Sequence, residues 1–360
     1  GTKGGFGLKW KSGDTRPAEA KQTTKFINHL KPKTTMTYLE NSKQYTGSDL
    51  ENIFFRPMLT GESAQDLGVR VLYNMPQPTH VQLWDGQRNI LQKFTSAGWA
   101  GGKAATKYEK TVNLNRVKAE LGFSAANYFS MVYEKVSSLV NTHMDDLSGT
   151  ELEQAETALF KQALAENIRV TMWIGDTSAA SGYNTFDGLL KRINGLVDDD
   201  GVYNFAYQAA ALEDPAYAVE LFDKLWTGAD PRIPGLKADD RLAYFVSSDI
   251  YRLYEKYLDA KGADAAYADA MNGRRTLAYH GIPVVDVRLG SYLGATSFRQ
   301  SFVMLTDRRN LVLAVNTADM PGNEVRMWYN PDEMENRQRA VFMAGTQILD
   351  EALISFAYKQ

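Results

Sequence analysis

The sequence predicts an α/β or α+β fold on three observations: a capped helix runs unbroken over 151–174, strand and helix alternate between 201 and 261, and the apolar runs after Leu277 are short and strand-like. At 360 residues the chain has room for two or three domains and an ordinary core.

Residues 1 to about 45 read as an arm. Five glycines fall in the first thirteen positions and no apolar period is sustained, yet Phe6, Leu8, Trp10 and Phe26 stud the segment. Two readings fit: a disordered terminus, or a segment ordered by lying on another surface, where ring burial offsets the entropy of fixing the backbone. A short amphipathic stretch covers 48–55. Strands and turns follow from 67 to 121. Val69, Val71 and Tyr73 alternate, Met75-Pro76-Gln77-Pro78 interrupts, Val81, Leu83 and Trp84 resume, and Asp85-Gly86 turns the chain. Beyond Gly98-Trp99-Ala100-Gly101-Gly102, Val112, Leu114, Val117, Ala119 and Leu121 are spaced by polar residues. The pattern describes a long hairpin with a glycine-rich tip, too small to be stable alone. Trp84 and Trp99 on it either pack on their own domain or anchor in a neighbour.

In the helix from Glu151 to Ile174, Thr150-Glu151-Leu152-Glu153 makes a capping box. Leu152, Ala155, Leu159 and Ala163 mark a stripe that Phe160, Leu164 and Ile168 widen, and Gly175 ends it. At 1.5 Å per residue it is a strut of about 36 Å. The stretch Asn184-Thr185-Phe186-Asp187-Gly188-Leu189-Leu190 is expected to open a short helix, and Asp198-Asp199-Asp200-Gly201 a sharp turn. Ala206 to Trp226 has helical spacing. Leu242 to Val246 reads as a strand, followed by a helix carrying Ile250, Leu253, Tyr254, Tyr257 and Leu258. Strands are expected at 277–279, 282–287, 302–305, 311–315 and 326–329, with a closing apolar stretch over 339–356.

Apolar residues at 44% and charged residues at 23% are globular values, and the longest apolar runs fall far short of the ~18 residues of a membrane-spanning helix. The absence of cysteine excludes disulfides, thiol nucleophiles, iron–sulfur clusters and cysteine-based zinc sites. A total charge of −3 does not suggest a nucleic-acid reader. Its distribution is uneven: residues 1–35 hold eight basic groups against two acidic ones, a balance of +6 that leaves −9 for the rest. Gly1 in place of Met, with no signal-type segment after it, suits a trimmed or processed chain.

Most catalytic and cofactor motifs fail. A P-loop ending at Gly102-Lys103 would need glycine at Ala97 and a hydroxyl at Ala104; Gly5-Phe6-Gly7 has Trp10 where the third dinucleotide glycine belongs. No two of His29, His80, His143 and His280 are at metal-ligand spacing, and no G-x-S-x-G elbow occurs. Asp198 to Gly201 lacks the spaced ligands of a calcium loop and reads as a turn. Glu333 and Glu335, with Trp328 and Tyr329 as a sugar platform, are the best glycosidase pair, set against a solvated turn between strands. No catalytic residue, metal site or cofactor is therefore expected.

The order of a basic glycine-rich arm, a long hairpin, a strut helix ending in Gly175-Asp176, the Phe186-Asp187-Gly188-Leu189 stretch, a mixed domain and returning strands resembles the tailed-bacteriophage major capsid proteins of Hong Kong 97 type. His280-Gly281-Ile282-Pro283-Val284-Val285 is similar to that family's "G-I/L-P-V-V" strand start. Met304-Leu305-Thr306-Asp307-Arg308-Arg309-Asn310-Leu311 is similar to its "L-T-x-x-x-N-L" turn. The stretch from Gly68 through Trp99 to Leu121 resembles capsid proteins of phages infecting Bacteroidetes.

The resemblance implies an N-arm over 1–48, an extended loop over 65–120, a peripheral domain over 121–200 and 326–360, and an axial domain over 201–325. It implies a non-enzymatic shell protein whose copies form hexamers and pentamers closing an icosahedral capsid around double-stranded DNA. Portal, scaffold, maturation protease and decoration proteins would be its further partners. Phe6, Trp10, Trp84 and Trp99 are the interface anchors expected from aromatic placement. Contact of the arm with DNA would be nonspecific and salt-dependent. An encapsulin-like compartment shares the fold, and a carbohydrate-active enzyme or sugar-binding protein is the rival from another class, prompted by 41 aromatic residues.

Overall fold

The computed structural model describes residues 43–57, 69–74, 79–84, 107–124, 151–261, 277–293, 300–316 and 323–360. Along the chain, β1 (Lys43–Tyr45) leads into a helical segment, α1, formed by Gly47–Asp49 and the wider turn Leu50–Phe55. β2 (Arg70–Tyr73), β3 (Thr79–Trp84), β4 (Lys107–Val112) and β5 (Asn115–Ser124) precede the long helix α2 (Glu151–Ile174) and the short α3 (Leu189–Asn194). Then come β6 (Asn204–Tyr207), α4 (Ala216–Gly228), β7 (Leu242–Val246), α5 (Ser248–Ala260), β8 (Leu277–Tyr279) and β9 (Ile282–Asp286). β10 (Phe302–Asp307), β11 (Leu311–Asn316), β12 (Glu324–Asn330), β13 (Glu335–Ile348) and β14 (Ser355–Lys359) complete the order.

Two larger sheets result. The first has the order β1-β12-β13-β11-β2, with β5 on the other edge of β13. β13 is long enough to serve β12 with its first half, β11 with its second and β5 along most of its length. The second sheet has the order β6-β14-β10-β7-β9-β8 and mixes parallel and antiparallel pairs, the α+β arrangement expected. Its central strands β7 and β10 are buried throughout. On one face Ala243, Phe245, Phe302 and Met304 join the core under α2 and α3; on the other Tyr244, Val246, Val303 and Leu305 join the core of α4 and α5. Burial on both faces is why these strands read as continuous apolar runs.

α2 fills its span with Ala, Leu, Glu, Lys and Gln, all strong helix formers, and ends where expected. Its stripe widens along its length. Phe160, Leu164 and Ile168 share a core with Val117 and Phe342 of the first sheet, and every residue from 168 to 175 is buried. Near the far end Trp173 lies between Phe245 and Phe302 of the second sheet, with ring centroids 5.6 and 6.2 Å away. One helix therefore braces both sheets.

The long hairpin expected over 67–121 is confined to β3 and β4, because Arg70–Tyr73 pairs with β11 and Asn115–Ser124 with β13. Two helix starts also differ from the sequence expectation. The helix expected to open at Asn184 starts only at Leu189, because Gly188 lies backbone to backbone against Gly175 and donates to its carbonyl at 2.8 Å. A Cβ on Gly175 would come within 2.2 Å of the Phe186 carbonyl, so this crossing needs glycine. The helical spacing read from Ala206 is also interrupted: Asn204–Tyr207 pairs in parallel with β14, and helix resumes at Ala216 after Pro215. The Thr150 cap lies outside the described residues.

Both family-like motifs have a structural cause. His280 and Gly281 take φ of 49° and 82° and form the two-residue turn joining β8 to β9. Asn310, fully buried, receives the Asp350 amide at 2.7 Å and donates to the Asp350 carbonyl at 2.7 Å and to Thr306 Oγ1 at 3.2 Å. It ties the β10–β11 crossover to the turn by which the chain returns from the first sheet to the second.

Candidate assembly surfaces

β3 and β4 form a two-stranded sheet of their own, running from Thr79↔Val112 to Trp84↔Lys107. Its root is held on the body. Val81, Val112 and Leu114 are buried in the second core, Gln347 Nε2 donates to the Thr111 carbonyl at 3.0 Å, and Lys110 pairs with Glu351. Gly345 of β13 lies so close to the Asn113 carbonyl that a Cβ there would sit 2.3 Å from it. The far end carries the Trp84 backbone and leads into residues 85–106. The Trp84 side chain lies outside the described residues, as do Phe6, Trp10 and Trp99 entirely. The structure therefore brings none of the four anchor side chains to a described contact.

Beside the hairpin root, β5, α2 and the loop 182–186 enclose a groove of about 510 Å³ with Val117, Leu164, Ile168, Phe186 and Phe342 in its lining. Lys118 and Glu120 also line it and pair with each other at 3.0 Å. Elsewhere on the surface Ile53, Tyr203 and Met334 are the exposed large apolar residues among those described. Met334 is 63% exposed at the tip of the β12–β13 hairpin and holds a φ of 52°, a left-handed conformation uncommon for a long side chain.

Two ionisable sites stabilise the elements that carry these surfaces. At the end of α2, Lys191 donates to Asp176 at 2.8 Å and to Asp187 at 2.7 Å. Asp187 also accepts from the Thr177 amide and hydroxyl. The hydrogen bond from Lys191, with two from Ser178, holds the Asp176 carboxyl down at about 2. Near the start of α2, Glu156 is fully buried against β13 and accepts from Asn336 Nδ2 at 2.8 Å. Burial pushes its carboxyl up to about 7, with Asn336 and Gln338 opposing. The sequence reading missed Glu156. The signal was there, since it lies at i−4 from Phe160 on the line that continues to Leu164 and Ile168.

The glycosidase pair is not brought together as catalytic carboxylates. Glu333 and Glu335 lie at the β12–β13 turn and both pair with Arg337, while Arg339 stacks over Trp328 at 5.6 Å. This is the salt-bridged turn between strands. Asp199 accepts from the Gly201 amide at 2.8 Å, as in a turn. Among the described residues no three His, Asp or Glu side chains cluster to hold a metal, and no helix is long and apolar enough to cross a membrane.

No family model matches the sequence, and no curated protein matches it. Solved structures do. A chain of the satellite phage P4 procapsid is similar over 84% of this chain and 96% of its own, with a TM-score of 0.52 and 10% sequence identity. This chain has the Hong Kong 97-type capsid fold. The capsid of a native GTA particle (14% identity, 82% of this chain and 89% of that one, TM-score 0.44) and Gordonia phage Cozz (11%, 82% and 85%, 0.43) are more distant likenesses.

Proposed function

We propose that this chain is a major capsid protein of a tailed phage, assembling with copies of itself into hexamers and pentamers of an icosahedral shell around double-stranded DNA. The observation that carries the reading is the likeness to the satellite phage P4 procapsid chain, which extends over nearly the full length of both. The β3–β4 ladder agrees with it. Its root packs in the second core, and a two-stranded sheet that makes no strand pairs with the main sheets among the described residues gains further stability by lying on a neighbour as well. In a closed shell many modest contacts of this kind sum by geometry.

In this reading residues 1–48 are an arm, 65–120 an extended loop, 121–200 with 326–360 a peripheral domain and 201–325 an axial domain. Phe6, Trp10, Trp84 and Trp99 are its interface anchors. Portal, scaffold, maturation protease and decoration proteins are its further partners, and its source is a phage of the group infecting Bacteroidetes. The virion is its final location and the host cytoplasm its place of assembly.

Size chromatography of the purified chain separates the classes. A shell protein elutes as capsomers or megadalton particles; a monomeric species under all assembly conditions contradicts the proposal. An encapsulin-like compartment gives equally large particles but holds no packaged DNA, so nuclease-protected DNA within them decides between the two shells.

A further inference from the structure

Glu156 differs from the other buried acids. Asp307 and Asp350 hold Arg309 and Arg232 at 2.8 Å, whereas no cation meets Glu156 among the described residues. β13 faces it with Asn336 and Gln338, both neutral. β12 brings Met327, whose Sδ accepts from Thr157 Oγ1 at 3.5 Å, and β5 pairs Leu121 with Gln338. The nearby charges point away. Arg337 and Arg339 alternate to the other face of β13, where Glu333, Glu335 and Glu324 engage them, and Lys118 and Glu120 of β5 pair with each other on the exposed side. Lys161 of α2 donates to the Ile53 carbonyl at 3.1 Å.

The polar atoms here do not balance with an ionised carboxylate. Glu156 Oε2, Asn336 Oδ1 and Gln338 Oε1 are three buried acceptors without a hydrogen-bond partner among the described residues, against one such donor group, Gln338 Nε2. Gln338 lies close enough to influence the carboxyl, yet neither its Nε2 nor its Oε1 makes a bond of good geometry. A carboxylate offers only lone pairs to this set; a carboxylic acid offers the missing donor.

We propose that Glu156 is a proton-gated latch between the first turns of α2 and the β12–β13 hairpin. Protonated, its hydroxyl donates to the Asn336 or Gln338 side-chain oxygen and locks helix to sheet. Ionised, it is a buried charge without a counterion and loosens that contact. Between the ordinary carboxylate range and about 7 the folded chain binds the extra proton, so stability at this joint is greatest at the acid end and is lost as pH rises through that interval. The device belongs to the single chain and holds whether or not copies assemble.

Hydrogen exchange of the full-length chain across the neutral range tests it. After correction for intrinsic exchange, amides of 155–160 and 336–340 should exchange on the order of tenfold faster at the alkaline end. Glu156→Gln, which supplies a permanent amide donor, should remain protected throughout. An unchanged pH response in Glu156→Gln, or none in the native chain, overturns the latch. Should that variant fail to fold, infrared spectroscopy of the native chain decides: a protonated carboxylic acid band persisting at mildly acidic pH and vanishing above neutrality supports the latch, and its absence refutes it.

Discussion

Asn310 does more for this fold than its size suggests. Its side chain gives the buried main chain at Asp350 both a donor and an acceptor, and Asp350 in turn receives Arg232 at 2.8 Å. Asn310→Ala leaves the buried Asp350 amide without a partner and its carbonyl with the Leu353 amide alone, at 3.3 Å. It should cost about 1–3 kcal/mol, read as a lower denaturant midpoint with unchanged slope. A midpoint within error of the native value would show that the crossover is held by packing alone. Lys191 and Glu156 show how position sets the sign of a pH effect. The clamp at Asp176 is present at neutral pH and lost as pH falls from the ordinary carboxylate range toward about 2, whereas the joint at Glu156 weakens as pH rises toward about 7.

Among the elements, those with a local cause were legible in the sequence. The span of α2 followed from its stripe and Gly175, and β8 and β9 from their short apolar runs. Elements set by distant partners were not. Gly188 delays α3 because Gly175 is pressed against it, and Asn204–Tyr207 is a strand because β14 lies alongside. The same limit applies to the surfaces: the strands of the hairpin were legible from alternation but its extent was not, since β2 pairs with β11 and β5 with β13, and the groove between β5, α2 and the 182–186 loop depends on tertiary approach. The anchor residues give a direct trial. Trp84→Ala and Trp99→Ala should leave the far-ultraviolet circular dichroism of the subunit close to native and reduce the yield of assembled particles by severalfold or more. Normal particle yield from both variants would remove these tryptophans from the interface.

Across the whole molecule, α2 and the returning strands join the two sheets into one framework. β10 of the second sheet leads directly to β11 of the first, and β13 leads back to β14 of the second. Among the described residues the β3–β4 ladder pairs with neither sheet and packs its root, Val81 and Val112, in the second core. The +6 balance of residues 1–35 adds an electrostatic term toward polyanions. In the proposed shell the chain completes its packing among copies of itself. Electron microscopy of the purified full-length protein tests that most directly. Closed shells with the tryptophan-bearing hairpin of each subunit lying on a neighbour are the predicted result; isolated subunits with arm and hairpin folded back on their own body would contradict it.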